Sequence, residues 1–296
     1  MKIRLGTRKS NLAVVQTQLV AKMLKDRYPD LTIEIVKIST KGDEILHKAI
    51  KDVGSKGVFV KEIEQALLDG KIDLAVHSMK DMPGEVTPGL CFVDPPRGED
   101  PRDVLITRDN KPLKKDGAYK IGTGSLRRAL QLKKLYPNCQ TLPIRGNIET
   151  RMGKIQSENL DGVVLAYAGL IRAGYQDRVQ HIFSEDELIP APCQGILALQ
   201  IREDDREIQD LLKPLAHEKT TLRYQMQRAF QKTLNGGCQS PMGISSRIDD
   251  QRVYLRACFG NEDGSVFCQK DLEGPLEDGV QLAQDLAQAL KEEVYD

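Results

Sequence analysis

Strand-like and helix-like segments alternate through the first two thirds of this chain, and that rhythm narrows the folds open to it more than any other feature. Residues 2–5 read as a short strand. A helix follows, capped at Ser10 or Asn11, with Leu12, Val15, Leu19 and Met23 on its apolar face and an end before Pro29. Residues 33–38 form a second strand, and Val60, Ile63 and Leu67 mark one face of a helix stopped at Gly70. Residues 72–76 form a third strand that runs directly into His77-Ser-Met-Lys-Asp-Met-Pro83. Such a βαβ order predicts a mainly parallel or mixed sheet with helices on both faces.

The polar, proline-rich stretch Asp94–Pro101 reads as a linker. A second α/β unit then begins, with strands near 103–107, 119–122, 140–144 and 162–166. Its helices follow Ser125 (Leu126, Leu130) and Asn147 (Ile148, Met152, Ile155), and Ile189–Gly195 closes it. Two such units predict two similar lobes with a cleft between them, where open α/β sheets bind ligands. The remainder changes character. A helix near 220–234 precedes three alternating stretches, 244–248, 253–259 and 266–272, and then a helix carrying Val280, Ala283, Ala287, Leu290 and Val294. That pattern is a small antiparallel α+β domain.

Charge divides along the same lines. The 296 residues hold 43 Lys+Arg and 43 Asp+Glu, yet residues 249–296 carry 12 acidic and 4 basic side chains, a net of −8 against +8 for the rest. A basic body suits an anionic ligand, while zero overall charge argues against a general nucleic-acid binder. The composition excludes disorder, collagen and coiled coil. No apolar run of signal-peptide or membrane-spanning length occurs, so the expectation is a cytoplasmic protein with no membrane partner. Six cysteines without a Cys-x-x-Cys pair, and four histidines without ligand spacing, predict neither a disulfide framework nor a metal site.

Nucleotide fingerprints fail, since Gly122-Thr-Gly-Ser-Leu-Arg127 has arginine where the third glycine belongs. Arginines instead gather at strand-to-helix junctions: Arg8 beside Lys9, Arg127 with Arg128, Arg145 with Arg151, and Arg172 after the buried strand. A helix N-terminus and planar guanidinium forks together suit carboxylate or phosphate. One such arginine is an ordinary surface charge; the set predicts a shared site for an anion of several charges. Asp81, beside Lys80 after the third strand, is placed either to stabilise a cation and handle protons or simply to cap a turn. Cys238, in Gly236-Gly-Cys-Gln-Ser-Pro241, reads as an accessible thiol, a nucleophile or a point of covalent attachment.

Gly6-Thr-Arg-Lys-Ser10, Gly54-Ser-Lys-Gly-Val-Phe-Val-Lys-Glu62, Ala75-Val-His-Ser-Met-Lys-Asp81, Gly122-Thr-Gly-Ser-Leu-Arg-Arg128, Ile144-Arg-Gly-Asn147 and the Cys238 loop occur in an order and spacing that resembles the porphobilinogen deaminase family across nearly the whole chain. The resemblance implies an α/β fold of two type II periplasmic-binding-protein-like lobes with a central cleft, plus a C-terminal α+β domain with a three-stranded antiparallel sheet. The implied boundaries are 1–97 with 196–214, 98–195, and 215–296. It also implies a monomer that deaminates four porphobilinogen molecules and joins them head to tail into linear hydroxymethylbilane. The primer is a dipyrromethane cofactor held by a thioether to Cys238.

By the same resemblance, Asp81 is catalytic, hydrogen-bonding pyrrole N–H groups and stabilising the azafulvenium cation left by deamination. Lys80, Ser78, Thr123, Ser125, Arg127 and Arg128 hold the cofactor. Arg8, Ser10, Lys56, Phe59, Arg145, Arg151, Arg172 and Gln194 hold substrate and growing chain, with Lys56 and Phe59 at the end of a lid. A primer extended by four units carries twelve carboxylates, which accounts for the arginines. Two departures stand out: Gly124 replaces a serine, removing a hydroxyl from the cofactor loop, and Cys193 replaces a small residue, adding an oxidisable thiol. Two other readings compete at this level: a non-catalytic two-lobed anion-binding protein, and a transferase with Cys238 as free nucleophile.

Overall fold

The structure, a computed structural model, describes residues 1–40, 60–234 and 240–295. In chain order, β1 (Lys2–Arg8), α1 (Asn11–Arg27), β2 (Thr32–Ile38), α2 (Lys61–Leu68), β3 (Leu74–Ser78) and β4 (Leu90–Phe92) come first. Next are β5 (Asp103–Thr107), β6 (Lys120–Gly122), α3 (Leu126–Leu135), β7 (Gln140–Leu142), α4 (Ile148–Ser157), β8 (Gly162–Ala166), α5 (Tyr167–Ala173) and β9 (His181–Ile182). Last are β10 (Leu197–Arg202), α6 (Arg206–Leu212), α7 (Glu218–Thr233), β11 (Gly243–Asp249), β12 (Arg252–Gly260), β13 (Phe267–Pro275) and α8 (Gly279–Tyr295). The chain divides into two compact units, Met1–Glu99 with Ile196–Thr221, and Asp100–Gly195 with Leu222–Asp296.

The first unit holds a five-stranded sheet ordered β2-β1-β3-β10-β4. β1 runs parallel to β2 and β3, and β10 runs antiparallel to β3 and β4. One face of the sheet packs Ile3, Leu5, Leu74, Val76 and Leu199 against Val20 and Leu24 of α1. The other packs Ala75 against Ile63, Ala66 and Leu67 of α2. Burial on both faces explains the continuous buried run of β3, whereas β2, at the edge of the sheet, alternates polar and apolar residues.

The second unit repeats the plan in its own sheet, β7-β6-β8-β5-β9. Here β6 is parallel to β7 and β8, and β5 is the antiparallel insertion. In each sheet the inserted strand is the first one built after the chain crosses from the other unit. This is the type II periplasmic-binding-protein plan. The second unit also contains the antiparallel sheet β11-β12-β13. Its core is separate, with Met226 and Phe230 of α7 and Leu286 and Leu290 of α8 packed on Ile244, Leu255 and Phe259.

Several helix faces differ from the sequence expectation. On α1 the buried positions are Gln16, Thr17, Val20 and Leu24, one residue round from the expected stripe. The polar pair tolerates burial because Gln16 exchanges hydrogen bonds with Ser78 and the Thr17 hydroxyl donates to the Ala13 carbonyl. On α3 the buried positions are Arg127, Arg128, Gln131 and Leu132, whereas Leu126 and Leu130 lie against Gly264 in the β12–β13 turn. Val280 is 41% exposed, and Leu286 takes its place on the buried face of α8. β3 covers 74–78 rather than 72–76, because its pairing with β10 continues to Ser78–Leu197. The sequence reading missed β4, β9, β10, α5 and α6 altogether.

Candidate active site

In the first unit the relevant groups collect at the C-terminal ends of two parallel strands. Arg8 is the last residue of β1, and Ser10 caps α1 through its carbonyl, which accepts from the Val14 N–H at 3.0 Å. The Ser10 hydroxyl makes no cap bond, and the first turn of α1 contains no acidic residue. That leaves the positive end of the helix dipole uncompensated by a local carboxylate. Ser78 ends β3, and a single 3₁₀ turn, Met79–Asp81, follows. Met79 and Met82 are both buried, the Met79 N–H donates to the Ile196 carbonyl at 2.9 Å, and the Met82 N–H donates back to Met79 at 3.1 Å. Two buried methionines thus pin the turn at both ends. Between them Lys80 is half-buried and Asp81 is exposed.

In the second unit the groups converge on a buried carboxylate that the sequence reading passed over. Asp103 opens β5 and is 0% exposed. Its Oδ1 accepts from Arg128 Nε at 3.1 Å, Arg128 Nη2 at 2.7 Å and Gln194 Nε2 at 2.8 Å. Its Oδ2 lies 2.8 Å from Arg127 Nη2. Arg127 also donates to the Ile189 carbonyl, and Arg128 Nη1 to the Val164 carbonyl at 3.1 Å. Burial alone would raise the Asp103 pKa, but the two guanidiniums and these hydrogen bonds outweigh it and hold the carboxyl far below the usual carboxylate range. Two cations around one anion leave the cluster one positive charge in excess.

Beside this cluster, the buried Thr123 donates its N–H to the Leu142 carbonyl at 2.9 Å, and its Oγ1 accepts from the Ser125 N–H at 3.2 Å. Ser125 caps α3, again without a side-chain cap bond or an acidic first turn. A Cβ on Gly124 would sit 2.8 Å from the Ile144 carbonyl oxygen, so the glycine admits a close backbone approach just before Arg145. The missing hydroxyl therefore has a steric reason as well. Arg145 is exposed, and Arg151 is drawn in as its Nε donates to the Gly146 carbonyl at 2.7 Å. Arg172 Nη2 donates to the Gly195 carbonyl at 2.5 Å.

Cys193 corrects an expectation. It is 1% exposed, its N–H donates to Gln227 Oε1 at 2.6 Å, and burial pushes its thiol up to about 12, so it is not an oxidisable surface thiol. Lys56, Phe59 and Cys238 lie outside the described residues. Of the other predicted residues, Arg8, Ser10, Ser78, Lys80 and Asp81 belong to the first unit. Thr123, Ser125, Arg127, Arg128, Arg145, Arg151, Arg172 and Gln194 belong to the second. The signal for Asp103 was present in the sequence as a carboxylate, just after Arg102, heading the apolar run Val104–Ile106. Among the described residues no His, Cys, Asp and Glu group is arranged to hold a metal ion, and no helix is long and apolar enough to cross a membrane.

The family model described as porphobilinogen deaminase, dipyromethane cofactor binding domain, matches residues 3–210, and that described as porphobilinogen deaminase, C-terminal domain, matches residues 221–292. The porphobilinogen deaminase of Clostridioides difficile (strain 630) is 45% identical over 291 residues, covering 96% of each chain. That of Clostridium novyi (strain NT) is 44% identical over 303 residues, covering 99% of this chain and 100% of the relative. Among solved structures, the periplasmic aliphatic sulphonate binding protein SsuA from Escherichia coli is 17% identical with a TM-score of 0.40, covering 78% of this chain and 70% of that one. With both family models matched in order and such relatives aligned end to end, this chain belongs to the porphobilinogen deaminase family.

Proposed function

We propose that the chain performs its family's reaction with the residues placed above. Four porphobilinogen molecules are deaminated and joined head to tail into hydroxymethylbilane, on a dipyrromethane primer attached through Cys238. The observation that carries this reading is the pinned 3₁₀ turn, in which Met79 and Met82 are buried so that Asp81 stands exposed beside Lys80. A carboxylate held this way can accept pyrrole N–H bonds and face the positive charge that develops on porphobilinogen as ammonia leaves. At ~4 Å and an effective dielectric near 20, that attraction amounts to roughly 4 kcal/mol.

The donor set also fits the cofactor. The Asp103 cluster has one positive charge in excess, and the adjoining α3 N-terminus has no acidic residue in its first turn, so both favour carboxylates. Arg127, Arg128, Thr123, Ser125, Lys80 and Ser78 are the residues we assign to it. The cofactor supplies the primer and its free pyrrole position. Arg8, Ser10, Arg145, Arg151, Arg172 and Gln194, with Lys56 and Phe59, orient the acetate and propionate of incoming substrate. The domains we assign are 1–97 with 196–214, 98–195, and 215–296; the separate apolar core around Phe230, Phe259 and Leu286 supports the last as a unit of its own. The working form is a cytoplasmic monomer.

Intact-mass spectrometry tests the attachment. Protein expressed with porphobilinogen available should exceed its sequence mass by two pyrrole units, and Cys238→Ser should lack that excess. An unmodified wild-type chain would instead favour a non-catalytic anion binder, and a retained adduct in Cys238→Ser another attachment site. Asp81→Asn should fold normally and lose about 100-fold or more in turnover. Near-normal turnover would remove Asp81 from the mechanism.

A further inference from the structure

A line of buried polar side chains runs under the C-terminal ends of β1 and β3, and the reaction as read above uses none of its inner members. The Thr87 hydroxyl donates to Glu64 Oε2 at 2.8 Å, and Gln200 Nε2 donates to Glu64 Oε1 at 2.9 Å. On the same sheet face, β10 pairs Gln200 with Ala75 and Ala198 with His77, which makes Gln200 and His77 diagonal neighbours. Gln200 is 0% exposed and His77 6%. Gln200 Oε1 and His77 Nε2 are both buried and find no other partner, and the Gln200 side chain is the hydrogen-bonding group that acts on the His77 ring. Extending the β1–β3 register two residues beyond Gly6–Ala75 brings Arg8 alongside His77. Burial pushes the His77 pKa down to about 4, with the Gln200 side chain opposing and the Arg8 charge adding, so the ring is neutral at neutral pH.

The polarity of the line dictates the tautomer. Both Glu64 oxygens accept, one from the Thr87 hydroxyl and one from Gln200 Nε2, so the Gln200 oxygen is left as an acceptor facing away. The group that complements that oxygen is an imidazole N–H. A neutral imidazole has a single N–H, and donating it from Nε2 makes Nδ1 the lone-pair nitrogen. A ring of that kind can lie against a guanidinium that an imidazolium would repel.

We propose that His77 is a positioning residue for Arg8: the Thr87–Glu64–Gln200 line fixes it as the neutral Nε2–H tautomer, and that ring sets the Arg8 guanidinium for the carboxylate of incoming porphobilinogen. The inference rests on the reading of Arg8 as a substrate-binding residue. Two measurements on the holoenzyme test it. In a ¹⁵N-histidine correlation spectrum at pH 7, the signal lost in His77→Gln should be a neutral Nε2–H imidazole; an Nδ1–H tautomer or an imidazolium overturns the proposal. In steady-state kinetics, His77→Leu should raise KM for porphobilinogen about tenfold, with kcat little changed and the attached pyrrole mass intact. His77→Gln, whose amide N–H can reach Gln200, should restore the KM. In an Arg8→Gln background, His77→Leu should add no further rise, and an equal rise in both backgrounds sinks the proposal. Arg8→Gln with unchanged KM would be a different failure, that of the underlying reading of Arg8. Gln200→Leu takes the place of His77→Leu in the same cycle if the latter does not fold, and the spectrum needs no variant that perturbs folding of the observed chain.

Discussion

Replacing Asp103 by asparagine removes one charge and almost no volume, which isolates the electrostatic part of the second unit's stability. Wild-type Asp103 is fully buried, and three side chains approach its two oxygens within 2.7–3.1 Å. Asparagine can keep one acceptor but presents an amide N–H₂ where the other oxygen accepted charge. Arg127 and Arg128, 4% and 6% exposed, then remain buried with no anion between them. Removing one partner from a buried ion pair costs about 3–5 kcal/mol, because the charge left behind is desolvated and uncompensated. Against a typical total of about 5–15 kcal/mol, such a loss is large. Hydrogen exchange of peptides spanning β5 and β8 reports it directly, as a lowered opening free energy in that sheet. Wild type and Asp103→Asn should also differ in acid. A carboxyl held low contributes stability that is present above the unfolded value, near 4, and is lost as pH falls below it. Asp103→Asn should therefore show a flatter stability profile below about pH 4. A loss under about 1 kcal/mol, or an unchanged acid profile, would refute the account of Asp103 as the anchor of the arginine pair.

Other expectations follow from the same geometry. Gly124→Ser places a Cβ 2.8 Å from a backbone oxygen, so it should cost about 1–3 kcal/mol by thermal unfolding despite restoring a hydroxyl; an unchanged Tm would show that the Ile144 backbone yields freely. His77, pushed down to about 4 against an unfolded value near 6.5, leaves the unfolded chain binding more protons between those pH values. Stability should consequently fall by up to roughly 3 kcal/mol as pH drops from about 6.5 to about 4. Urea unfolding at several pH values should show that drop in the wild type and lose it in His77→Gln.

Much of the architecture was legible because it is encoded locally. The stop at Gly70 lies at a positive φ of 65°, and Asn147 caps α4 by accepting from the Thr150 N–H at 2.8 Å. The strands 103–107 and 162–166 were read at their observed limits because a short apolar run between breakers has few other uses. β10 was missed for the opposite reason, since its place in the first sheet depends on partners more than a hundred residues earlier in the chain. The face of α3 was misread because two arginines and a glutamine lie where an apolar stripe was expected, and only a carboxylate from another strand makes that burial tolerable.

The loops that carry Asp81 and Cys238, the distribution of arginines and the alternation of elements are properties of contiguous residues, and from them the fold class and the family could be read. Which charges neutralise one another is a property of the folded chain. Asp103 meets Gln194 across 91 residues and Glu64 meets Gln200 across 136, separations over which no periodicity or motif carries information. Sheet order brings these partners together, and a buried carboxylate persists only where that order supplies its donors.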